Sequence, residues 1–227
     1  MRADARLLDL LRRYPSARHL VSRAVFSPLS RRKRFQLIWA FDLWGGGASR
    51  SGRASSLDAT RRLRAGLPST LTKLGVTTLL DVPCGDFNWM SEVDLGDVTY
   101  VGIDIVPQIV ERNRSHFGES PRRRFLVGDV TSDALPRADA VLCRDLLPHL
   151  SFRDALRALS RIRGSGARWL LSTTFPYVER NYDVVTGDFR AINLERRPFS
   201  LPSPRWTIDD RVTDDTERLL GVWDIGS

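Results

Sequence analysis

The sequence predicts an α/β fold: a Rossmann-like seven-stranded sheet, mostly parallel, with an antiparallel C-terminal strand, helices on both faces and a helical extension at the N-terminus. Three observations carry this. Five short apolar runs fall between residues 77 and 174, separated by amphipathic helical stretches. The runs are apolar throughout rather than alternating, which marks strands buried on both faces of a parallel sheet. Two further runs, Arg205–Asp209 and Leu219–Ile225, flank a polar turn at Asp214 and Asp215 and read as a terminal hairpin.

In chain order, residues 4–42 look helical. Leu7, Leu8, Leu10 and Leu11 form an apolar face, and Pro15 interrupts it. A second stretch, Arg31 to Trp44, sets Phe35, Ile38, Trp39 and Phe41 at helical spacing, to be packed on the main domain. Gly45 to Gly52 is a Gly/Ser loop. Residues 1–54 are read as extension and loop, and 55–227 as the Rossmann-like domain. Ser55 or Ser56 is expected to cap a helix ending at Leu67, with Pro68 starting a second piece that ends near Gly75.

The strands follow: Thr77–Asp81, Val98–Ile103, Phe125–Val127, Ala138–Cys143 and Trp169–Thr174. Val106–Phe117 and Ser151–Arg163 are the helices among them, the latter capped by Ser151 with Ala155, Leu156, Leu159 and Ile162 on one face. Pro198, Pro202 and Pro204 mark an irregular segment before the hairpin.

A chain of 227 residues suits one domain with an accessory segment. Two cysteines, Cys84 and Cys143, make no disulfide framework and no metal site. No apolar run is long enough to cross a bilayer, and Met1-Arg2-Ala3-Asp4 opens no signal core, so a cytoplasmic protein is expected. The net charge is +8, yet lysine occurs only at Lys33 and Lys73. Such arginine bias is at least as well explained by genome composition as by a binding surface. A small-molecule acceptor is therefore preferred to RNA or another polyanion, which stays as the alternative.

The chemistry gathers at the strand tips. Strand one ends in Asp81-Val82-Pro83-Cys84-Gly85-Asp86, an acid followed by a Gly-containing turn. In open α/β sheets ligands sit beyond the carboxyl ends of the strands, and a glycine there admits a close approach. Asp104 ends strand two, 23 positions after Asp81, near the offset of an acid that holds ribose hydroxyls. Gly128-Asp129-Val130 follows strand three. There is no G-x-G-x-x-G turn to seat a pyrophosphate, which favours S-adenosylmethionine over a dinucleotide. Competing readings stand beside these: Asp81 ordering its loop, and Asp104 and Asp129 acting as helix or turn caps.

The segments Leu80–Gly85, Tyr100–Asp104 and Val127–Asp129 resemble the first three cofactor motifs of the class I S-adenosylmethionine-dependent methyltransferases. The Asp-Val-Pro-Cys-Gly-Asp-Phe-Asn-Trp form is similar to a bacterial subgroup. The resemblance implies a seven-stranded sheet with an antiparallel last strand, Gly85 beside the methionine part of the cofactor, Asp104 on the ribose and Asp129 near the adenine. The cofactor set is Asp81, Pro83, Cys84, Gly85, Asp86, Asp104, Ile105, Asp129, Val130 and Arg144. In this family the segment after strand four faces the transferred methyl, and here it carries Asp145 and His149. His149 is the candidate base, with Asp145 as an orienting group or an alternative base; a buried structural histidine is the competing reading. Trp44, Asp188, Arg190 and Asn193 are the candidate acceptor contacts. The expected activity is methyl transfer to a small molecule, on oxygen, with a non-catalytic cofactor-binding module as a further alternative.

Overall fold

A computed structural model describes residues 15–45, 49–214 and 217–226. The leucine face over residues 7–11 and part of the Gly/Ser loop lie outside these residues. Helix α1 (Pro15–Phe26) and helix α2 (Arg31–Ala40) form the N-terminal extension. Ser30 starts α2, its Oγ accepting from Lys33 N, and Phe35 and Ile38 bury one face. Phe41, expected on that face, falls at the helix C-cap and is exposed.

Helix α3 (Arg61–Lys73) runs in one piece through Pro68, where two pieces were expected. Leu63, Leu67 and Leu71 are spaced by four and fully buried. Burying that continuous stripe outweighs the roughly 3 kcal/mol that an interior proline costs.

The sheet contains β1 (Thr78–Asp81), β2 (Thr99–Asp104), β3 (Arg123–Val127), β4 (Ala140–Cys143), β5 (Trp169–Thr174), β6 (Trp206–Asp209) and β7 (Leu219–Asp224). Their spatial order is β3-β2-β1-β4-β5-β7-β6. The first five are parallel. Strand β7 pairs antiparallel to β5 from Trp169↔Asp224 to Thr174↔Leu219, and β6 pairs back onto β7. The fold class expected from the sequence is the one observed.

Alternation along the strands splits the core. Leu80, Val141 and Leu170 face helix α5 (Phe152–Gly164), through Ala155, Leu159 and Ile162, and also Phe35 and Ile38 of α2. Leu79, Leu142 and Leu171 face α3 together with Phe87, Trp89 and Met90. Helix α4 (Pro107–Phe117) gives Ile109 to the first core and Val110 to the second. The β1–β2 crossover holds only the 3₁₀ turn Met90–Glu92, and β3–β4 holds no helix. In the first of these, buried Phe87, Trp89, Met90 and Val93 cover the sheet where no α-helix runs.

The sheet order reverses between β1, flanked by β2, and β4 on its other side. A crevice opens at such a switch point beyond the strand tips. Among the described residues no helix is long and apolar enough to cross a membrane.

Candidate active site

The crevice is a cavity of about 630 Å³. This lies in the range of small-molecule sites, roughly 300–1,000 Å³. One end is built by the tips of β1, β2 and β4; α1, α2, residues 43–44 and residues 50–55 close the other.

The turn after β1 is pinned on both sides. Val82 N donates to Leu142 O, and Cys84 N to Ile103 O, each at 2.9 Å. The Val82–Pro83 bond is cis. Gly85 N donates to Asp104 Oδ2 at 3.2 Å, Asp86 N to Ser51 Oγ at 2.9 Å and Phe87 N to Cys84 O at 3.3 Å. Every N–H from residue 84 to 87 is thus committed inside the protein, so the turn offers no nest for a diphosphate. Gly85 has φ +52°, and a Cβ there would overlap the Ser51 hydroxyl. Glycine is required on both counts.

Asp81 and Asp104 both line the cavity and are almost fully buried. Burial raises Asp81 to about 7, against the hydrogen bond from Tyr100 Oη at 2.7 Å and the charge of Arg144. Burial likewise raises Asp104 to about 6, against hydrogen bonds from the backbone of Val106 and Gly85. The Asp104 carboxylate accepts one bond on each oxygen, Val106 N on Oδ1 and Gly85 N on Oδ2. An ionised carboxylate has about four acceptor sites, so each oxygen retains capacity toward the cavity.

Asp86 turns toward the N-terminal loop. Its Oδ2 accepts from Ser49 Oγ and Arg50 N, each at 2.9 Å. Its structural work is to fasten residues 49–51 across the Gly85 turn.

Pro83, Cys84 and Ile105 line the cavity. Cys84 and Cys143 are buried, unbridged thiols, and burial raises both, Cys143 to about 12. Asp129 and Val130 face a separate cleft of about 30 Å³ rather than the main cavity. Asp129 accepts from Thr131 N and Oγ1 through Oδ1 and from Arg31 Nε through Oδ2. It ties the turn after β3 to α2, the geometry of the capping alternative. The strand-tip pattern indicated the position but carried no sign of Arg31, 98 residues away in sequence.

After β4 stands a buried charge cluster. Arg144 Nε and Nη2 grip Asp210, Nη2 also donates to Ala54 O at 2.8 Å, and the guanidinium lies 5.2 Å from the Trp89 ring centre. Arg218 Nε donates to Asp210 Oδ2 and its Nη2 to Asp145 Oδ2 at 2.7 Å. Two cations meet two anions. Burial acts to raise Asp145, but Arg218 and Arg144 outweigh it and hold the carboxyl below its usual range. Asp145 is therefore an ionised, twice-paired carboxylate and a weak base. Its backbone has φ +58°, and the residue lines the cavity. Sequence reasoning missed Asp210 and Arg218, because no local pattern signals partners on a hairpin 66 and 73 residues away.

His149 lies in the 3₁₀ turn Leu147–His149 and lines the cavity. Its Nδ1 is 2.9 Å from Asp188 O. A carbonyl only accepts, so Nδ1 carries a proton and donates it to Asp188 O. The ring packs 4.8 Å from Trp44 and 5.3 Å from Phe189, centre to centre.

The acceptor candidates divide. Trp44 and Asp188 line the cavity; Arg190 and Asn193 do not. Asp188 pairs with His19 of α1. Arg190 is buried, donates through Nη1 to Leu150 O at 2.5 Å and lies 4.9 Å from the Phe152 ring centre. Burial lowers it to about 10. Asn193 Nδ2 donates to Pro176 O and Val178 O, while Asn193 N donates to Asn181 Oδ1. Both side chains turn inward and satisfy loop carbonyls, because the irregular segment 175–205 lacks a ladder of its own for them. The apolar wall opposite comes from Val21, Val25 and Phe26 of α1 and Phe35, Ile38 and Trp39 of α2. Sequence reasoning foresaw α2 packing on the domain but not that α1 and α2 form part of the site.

Residues 79–165 match a family described as a methyltransferase domain. No curated protein matches the chain in sequence. Among solved structures, human N-acetylserotonin methyltransferase in complex with S-adenosylmethionine superposes with a TM-score of 0.61 at 14% identity, over 88% of this chain and 61% of that one. The mitomycin 7-O-methyltransferase gives 0.62 at 18% identity, over 88% and 62%. This chain therefore spans less than two thirds of either. The magnesium protoporphyrin IX methyltransferase from Synechocystis PCC 6803 with bound S-adenosylmethionine gives 0.53 at 15% identity, over 86% and 97%. At these identities the likeness is one of fold. That fold likeness agrees with the family match: residues 79–165, from β1 to α5, resemble a methyltransferase domain.

Proposed function

We propose that the protein transfers the methyl group of S-adenosylmethionine to an oxygen of a small-molecule acceptor, and that it is akin to the bacterial subgroup with the Asp-Val-Pro-Cys-Gly-Asp-Phe-Asn-Trp turn. One observation carries this reading: a single cavity joins the acidic strand tips of Asp81 and Asp104 to the aromatic surround of His149.

The residues fit the cofactor. A fully engaged turn excludes a diphosphate, while Asp104 keeps acceptor capacity for two ribose hydroxyls. When bound, the cofactor supplies an electrophilic methyl carbon on a sulfonium centre. Asp104 holds the ribose. Gly85, Pro83 and Cys84 give the close backbone wall. Asp145, kept ionised by Arg218 and Arg144, presents a fixed anion to the cationic end of the ligand. His149 would take the acceptor's hydroxyl proton on Nε2, and Asp188 O fixes the ring. Aligning the two reactants is the site's main contribution. The apolar wall of α1 and α2 suits a small organic acceptor rather than a polyanion.

Mass spectrometry of ligand released from the purified protein is the direct test, with S-adenosylhomocysteine the expected species. In calorimetry, Asp104→Ala is expected to lose most cofactor affinity. Unchanged affinity would refute the assignment.

A further inference from the structure

The acceptor half of the cavity has a chemical character beyond being apolar. Trp44 and Phe189 both pack against the His149 ring, and Phe35 adjoins Trp44 at 6.2 Å. Val21 and Val25, one turn apart on α1, line the cavity while remaining 41% and 49% exposed. Apolar side chains left about half exposed on a cavity wall offer a surface to a guest. Trp39 lines the same wall. Gly187, at φ +104°, forms the floor; a Cβ there would crowd Phe26 and Ile38 at 3.2 and 3.4 Å. The charges at this end are largely engaged: Asp188 pairs with His19, and Arg50 lies over the Trp39 ring at 5.0 Å.

From this geometry we propose that the acceptor is a planar, fused-ring aromatic bearing a hydroxyl. It stacks on Trp44, rests on the α1 face at Val21 and Val25, and directs its hydroxyl to His149. The inference rests on the functional reading above and names its substrate class. Flat rings gain from offset or edge contact with Trp and Phe, which a saturated ring of similar size does not.

The test uses 2-naphthol and its saturated counterpart, decahydro-2-naphthol, in calorimetry with the full chain, alongside S-adenosylhomocysteine in a separate titration. The expected result is that 2-naphthol binds severalfold more tightly than the saturated alcohol. Trp44→Ala should weaken it about tenfold, the upper scale of one aromatic pair, and Trp44→Phe should retain most of the affinity. Equal binding of the two alcohols, or equal binding by wild type and a folded Trp44→Ala, overturns the proposal. If S-adenosylhomocysteine binds while 2-naphthol does not, the aromatic acceptor falls and the methyltransferase reading stands. If 2-naphthol binds with the expected preference and S-adenosylhomocysteine does not, the aromatic chamber stands and the methyl-transfer reading falls. Unaltered S-adenosylhomocysteine affinity in Trp44→Ala shows that the variant is folded; if that affinity is lost, Trp44→Phe and the alcohol pair decide the matter.

Discussion

Gly85→Ala separates two reasons for one glycine. The residue sits at φ +52°, and an added methyl would overlap Ser51 Oγ, which is itself held by Asp86 N at 2.9 Å. An L-residue in that left-handed conformation costs about 1–2 kcal/mol. Displacing Ser51 adds an overpacking penalty of about 1–3 kcal/mol. The smaller unfolded-state entropy of alanine returns roughly 0.4–1 kcal/mol. The net loss is about 2–3 kcal/mol, to be read from the urea midpoint at constant slope. Ser51→Gly removes the obstacle and an acceptor of one hydrogen bond, at about 1 kcal/mol. In the double variant the overlap is gone and only the conformational part persists, so the two changes should couple by about 1–2 kcal/mol in the favourable direction. A loss under about 0.5 kcal/mol for Gly85→Ala, or strict additivity in the cycle, would refute this account of the turn.

Asp81 makes stability depend on pH. Its folded value of about 7 lies above the unfolded one, so its contribution is intact below about pH 4 and is lost as pH rises through 7, on the order of 4 kcal/mol in all. Asp81→Asn should therefore exceed wild type in stability at pH 8 and approach it at pH 4; parallel denaturation curves across that range would contradict the assignment. Arg218→Met leaves Asp145 and Asp210 sharing Arg144 alone and should destabilise by about 3–5 kcal/mol in urea unfolding. His149→Gln should lower the rate of S-adenosylhomocysteine formation by about 10²–10⁴ while leaving cofactor affinity, measured by calorimetry, unchanged. Arg190→Met should lower the urea midpoint without raising the KM for acceptor, since the side chain serves Leu150 O and does not reach the cavity.

The strands and the order of the site's acidic tips were legible because each is a local pattern. An all-apolar run of four to six residues ending in aspartate needs no distant partner to be recognised, and β1 through β5 were placed to within two residues of their observed ends. The terminal hairpin was readable for the same reason. What resisted reading depends on pairing across the chain. The Arg144–Asp145–Asp210–Arg218 cluster joins two segments that show only unremarkable charges in sequence. Arg190 and Asn193 looked like ligand contacts because polar residues in an irregular stretch leave their direction open; here they point inward. Pro68 signalled a break that the Leu63–Leu67–Leu71 stripe overrides. Val21 and Val25 are ordinary helical valines until the cavity is seen.

Strand β7 sits between β5 and β6, so the sheet is not filled in the order in which the chain is made. During synthesis, β1 to β5 emerge first, and the flank of β5 is a bare row of backbone donors and acceptors until residues 219–224 arrive. The same late segment brings Arg218, and with it the counter-charge for Asp145. A ribosome-bound chain short of the hairpin thus has a sticky margin and, at its centre, a carboxylate with only one of its two cations, Arg144, and the two defects are cured together when that strand slides into place.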